Sequence, residues 1–129
     1  VLQPLAVSQK DFGQLEVFQY EVVDGIPLVL FCCGYRELSE QRRSQFGNRD
    51  ATYSVVCRTD LSSVDFSEAR AFEHMLPYAA RLVQNPVGEW FLLGFLNEVD
   101  GKFVGEICDP IPVTANSDLG LVLRLDINS

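Results

Sequence analysis

The chain has 129 residues, 47% of them apolar, and carries a net charge of −8. That length suits one folded unit burying roughly two thirds of the surface its unfolded form exposes, and the apolar content excludes an extended disordered chain. The acidic balance works against phosphate backbones and anionic membranes, so nucleic-acid binding is not expected and a basic protein surface is the better match. The longest apolar run, Ile26 to Cys33, is eight residues and contains a proline. A membrane helix needs roughly 18, so membrane insertion is not expected either. No secretory leader pattern is visible, and the expected compartment is cytoplasmic.

In chain order, residues 1–13 read as an N-terminal arm, with Pro4 opposing an early helix. Leu15 to Val23 reads as a first strand whose alternation changes phase near Phe18, which a β-bulge would reconcile. Asp24-Gly25 then predicts a tight hairpin turn, because both positions tolerate positive φ at low cost. Ile26 to Cys33 is apolar throughout, as a strand covered on both faces must be. Leu38 to Gln45 is expected to form a short helix, and Tyr53 to Thr59 returns to strand.

Asp65 to Val83 carries apolar residues at three- and four-residue spacings: Phe66, Ala69, Phe72, Leu76, Ala79, Ala80 and Val83. This predicts a long helix capped at Asp65, with a kink or a break at Pro77. Trp90 to Glu98 and Lys102 to Cys108 flank a second Val-Asp-Gly turn and form a second hairpin. Pro110 and Pro112 mark an extended connection. Leu119, Leu121, Leu123, Leu125 and Ile127 alternate with polar residues as the last strand. The expectation is a single α+β domain over residues 1–129, in the order ββ(α)β-α-βββ. Its largely antiparallel sheet has about six strands, with one long kinked helix packed on a face.

Chemistry is thinly marked. Cys32, Cys33, Cys57 and Cys108 lack Cys-x-x-Cys spacing and read as reduced, buried residues. One histidine, His74, limits catalytic constellations, and no nucleophile elbow, phosphate-binding glycine loop or closely spaced metal ligand pair occurs. No catalytic residue, metal or cofactor is therefore assigned. Five of the eight arginines, Arg36, Arg42, Arg43, Arg49 and Arg58, fall within one stretch, where guanidinium groups can hold carboxylate or phosphate. Tyr20 and Trp90 are the expected site of an exposed apolar patch, and Tyr53 joins the candidate binding residues.

The leading expectation is a small acidic protein-interaction domain of adaptor, inhibitor or secretion-chaperone type. Its partner would be a protein with a basic surface, and a homodimer is compatible with the same features. Two other readings compete with it. One is a small-molecule cup with Arg58, Tyr53 and Trp90 at an arginine-lined mouth. The other is an enzyme using His74 with Cys57 or a carboxylate.

Overall fold

A computed structural model describes residues 10–58 and 60–125 of the chain. The first hairpin joins β1 (Glu16–Val23) to β2 (Ile26–Cys33). Asp24 and Gly25 have φ of 49° and 84°, the paired positive values of a turn whose twist matches the flanking strands. The register of β1 slips between Glu16 and Gln19, where the alternation of the sequence changes phase. Pro27 stands at the start of β2, where an absent N–H is tolerated. β2 also pairs antiparallel with β3 (Ala51–Val56), which pairs with the two-residue β4 (Arg70–Ala71). Between β2 and β3 lie a 3₁₀ turn at Tyr35–Glu37 and the helix α1 (Glu40–Phe46). The Ser39 hydroxyl caps α1 by accepting the Arg42 amide.

A second, five-stranded antiparallel sheet contains β5 (Tyr78–Gln84), β6 (Trp90–Val99), β7 (Lys102–Ile107), β8 (Ile111–Asn116) and β9 (Gly120–Leu123). Asp100 and Gly101 repeat the positive-φ turn of the first hairpin. β5 takes one edge of β6. The other edge is shared lengthwise, with β8 beside Trp90–Leu92 and β7 beside Phe95–Val99. The Cys108 amide bridges the two by donating to the Gly94 carbonyl.

Two apolar layers hold the sheets. Leu28 and Leu30 of β2 face Leu82, Trp90, Leu92, Ile111 and Val113 of the second sheet. The opposite face of β2 presents Val29, Phe31 and Cys33 to Phe12, Leu38, Phe66 and Ala69. β2 is thus buried on both faces, which accounts for its unbroken apolar run. Gln19 fastens the sheets further: its side chain accepts the Leu82 amide and donates to the Leu82 carbonyl.

The architecture departs from the expected α+β fold. The chain is mostly β, with nine strands in two sheets among the described residues, and no long helix lies on a six-stranded sheet. Asp65 caps only a 3₁₀ turn at Phe66–Glu68, through the Ser67 amide. Beyond it Met75 and Leu76 adopt φ of 57° and 44°, and Pro77 offers no N–H, so a helix cannot propagate. The helical spacing arises because successive short segments face different layers. Phe66 and Ala69 enter the outer layer, whereas Phe72 enters the layer between the sheets. From Ala80 to Val83 burial alternates with a period of two, the signature of β5.

The extended connection around Pro112 is a full strand, β8. The last strand ends at Leu123; Leu119 and Leu125 are exposed, while Ile127 lies outside the described residues. Among the described residues no helix is long and apolar enough to cross a membrane.

Candidate functional site

Four of the five clustered arginines are committed to separate local partners. Arg42 is the most heavily used. Its Nη1 donates to the Ala69 carbonyl at 2.9 Å, and Nη2 donates to the Phe66 and Ser67 carbonyls at 3.2 and 3.0 Å. Its Nε lies 3.3 Å from Asp11 Oδ2, and its Cζ sits 4.5 Å from the Phe12 ring centroid. One guanidinium therefore fastens α1 to the N-terminal segment and to the carbonyls of the 3₁₀ turn before β4. Arg36 donates to the Tyr35 hydroxyl, Arg49 stacks on Phe46, and exposed Arg58 pairs with Glu68 at 3.2 Å. Arg43 is half-buried on α1. Rather than forming a shared anion clamp, most of the group stabilises its own neighbourhood.

Trp90 is 8% exposed and packs between the sheets, so it forms no surface patch with the exposed Tyr20. Tyr53 is 2% exposed, stacked on Phe31 and flanked by Phe12. Of the eight candidates, the structure brings Arg42 and Tyr53 together, on one cleft beside α1.

The exposed apolar surface lies elsewhere. In β6, Trp90 and Leu92 turn inward, so Phe91, Leu93 and Phe95 turn to the outer face of the second sheet. Nothing among the described residues covers that face as α1 and the N-terminal segment cover the first sheet. Arg124 shields Phe91, its Cζ 5.2 Å from the ring centroid. Phe95 stands directly opposite Ile107 of β7, and the two are 44% and 68% exposed. Phe103 is 79% exposed, with its ring lying over Gly105. Every residue of β7 is exposed, and among the described residues its outer edge pairs with no other strand. Exposed apolar side chains beside an unpaired strand edge are the features that mark an interaction surface. From Glu89 to Asp109 five acids stand against a single lysine.

Sequence reasoning passed over Phe95, Phe103 and Ile107. The run Trp90-Phe-Leu-Leu-Gly-Phe-Leu96 is apolar at both parities and demands cover on two faces. The fold supplies one.

The reactive groups are quiet. All four cysteines are free and buried. Burial pushes the Cys33 thiol up to about 11 and raises Cys32 and Cys57 as well. That direction is opposite to the activation a nucleophile needs. His74 is exposed and stands edge-on to Phe72. Among the described residues no group of three His, Cys, Asp or Glu side chains is placed to hold a metal ion. Comparisons with protein-family models, with curated protein sequences and with solved structures find no match.

Proposed function

We propose that this chain is a protein-binding domain whose partner docks on the outer face and free edge of the β6–β7 hairpin. The observation that carries this reading is the cross-strand pair Phe95–Ile107, apolar, exposed and next to an unpaired edge. Antiparallel edges recruit extended segments through main-chain hydrogen bonds, while alternate side chains supply specificity. The acidic surround selects a partner with Lys or Arg flanking an apolar strand, and it speeds encounter at low salt. Acidic residues along the same edge also oppose pairing between two copies of the chain.

Site-specific photo-crosslinking tests this reading in the source cells, with a photoreactive phenylalanine analogue at position 103 and a control at position 20. The expected result is a discrete adduct with a different protein from position 103. Phe95→Ser combined with Ile107→Ser should abolish it while thermal unfolding stays cooperative. Adducts of equal yield at both positions, none at position 103, or only a self-adduct would overturn the proposal.

A further inference from the structure

Val23-Asp24-Gly25 and Val99-Asp100-Gly101 are the same tripeptide, and both form the same positive-φ turn. In Asp-Gly the side-chain carboxyl and the next backbone nitrogen meet with least hindrance, because glycine has no Cβ. Both ladders close outside the pair, Val23 with Ile26 and Val99 with Lys102. A Cβ on either glycine meets nothing within 4 Å. Local sequence and turn geometry are therefore matched, and only the surroundings distinguish the two sites.

Those surroundings differ. The Asp24 carboxylate is held by the Thr114 hydroxyl at 2.6 Å, and Val23 beside it is fully buried in the layer between the sheets. Asp100 is exposed, and among the described residues its carboxylate has no hydrogen-bond or ion-pair partner. Val99 is exposed too, as is every residue of β7. Opening the first turn disturbs the core and breaks a tie to β8, whereas opening the second disturbs surface residues of one hairpin. Segments with few buried contacts open locally at far less cost than global unfolding.

We propose that Asp100-Gly101 is a site of spontaneous succinimide formation and isomerisation in the native protein, and that Asp24-Gly25 is protected from it. During transient opening of the turn the Gly101 nitrogen attacks Asp100 Cγ. The N–Cγ bond forms, the nitrogen gives up its proton, and one carboxyl oxygen leaves as water. Water then cleaves the five-membered imide. Attack at the side-chain carbonyl restores aspartate; attack at the main-chain carbonyl leaves isoaspartate, with the chain running through the β-carbon. The sum is an isomerisation and needs no co-reactant besides water. Isoaspartate lengthens the two-residue loop by one methylene, and loop length sets the register of a hairpin. Phe103 then shifts relative to Phe95 and Ile107. That consequence for docking rests on the proposed interaction surface, whereas the chemistry does not.

Incubating the full chain in heavy-oxygen water at neutral pH, followed by peptide mapping, tests the proposal, because each passage through the imide leaves one labelled oxygen. Label and isoaspartate are expected at residue 100 at least about tenfold faster than at residue 24. In denaturant the two identical tripeptides should react at similar rates. Thr114→Val should raise the rate at residue 24 and leave residue 100 unchanged. No label at residue 100, equal native rates at the two sites, a preference that persists in denaturant, or an unmoved residue 24 in Thr114→Val would overturn the proposal. Crosslinking at position 103 succeeds or fails independently of these rates.

Discussion

Ser54 Oγ accepts the Leu121 amide at 2.9 Å, joining β3 of one sheet to β9 of the other through a single buried hydroxyl. The approach is close enough that a Cβ on Gly120 would stand 2.7 Å from the same oxygen. Ser54→Ala leaves the Leu121 N–H unsatisfied inside the protein, a cost of about 1–3 kcal/mol. Chemical denaturation should show a lower midpoint with an unchanged slope. Gly120→Ala should be at least as damaging, because its φ of 79° adds strain to the clash.

Arg42 joins three segments through one planar group, and lysine cannot reproduce that fork. Arg42→Lys keeps the charge but cannot serve the Phe66, Ser67 and Ala69 carbonyls together. A loss of about 2 kcal/mol is expected in urea unfolding. Arg58→Lys, at an exposed pair with Glu68, should change stability by less than about 0.5 kcal/mol. Equal effects at the two positions would contradict the distinction between a fastener and a surface ion pair.

The two Asp-Gly turns separate backbone strain from packing. A Cβ on Gly25 or on Gly101 meets nothing within 4 Å, while their φ values are 84° and 77°. Alanine at either site should therefore cost about 1 kcal/mol through backbone conformation alone. Asp24 differs from Asp100 in accepting a hydrogen bond from Thr114 Oγ1 at 2.6 Å. Asp24→Asn and Asp100→Asn should separate in thermal unfolding, with the former the more destabilised.

Alkaline titration should report the buried thiols. Cys33 has a pKa raised from 9.0 to about 11, chiefly by burial. Between those values the unfolded chain releases the proton and the folded chain keeps it, so stability falls as pH rises. Below pH 9 the contribution is intact; above about 11 the loss is complete. Cys33→Ala should flatten the decline of stability measured by denaturation across this window. In the native protein the thiols should react slowly with a disulfide reagent, with four reacting promptly after unfolding.

Local punctuation was the readable part of this chain. Asp24-Gly25 and Asp100-Gly101 placed both hairpins, because φ preference is a property of the residues themselves. The apolar run from Ile26 marked a doubly covered strand, and Ser39 with Gly47 brackets α1 close to its expected span. The segment from Asp65 to Val83 misled because three- and four-residue spacing also arises when short pieces visit two cores in turn. Pro77 was the contrary signal, and it outweighed periodicity. The arginines misled for a different reason: a sequence shows charge but not the carbonyls that occupy it. Tyr53 was visible as a candidate, whereas its burial between Phe12 and Phe31 belongs to packing alone.

The shared edge of β6 has a mechanical consequence. Upstream of Cys108 the chain runs along β6 on the surface, and downstream it runs along the same strand inside the core. Residues Lys102 to Ile107 can therefore peel from β6 without opening the layer that contains Leu92, Ile111 and Val113. Amides of Lys102 to Ile107 should exchange with solvent by local fraying, and those of Leu92 and Val113 only when the whole protein unfolds. β7 is an appendage on the sheet, and it can be remodelled without the fold registering the change.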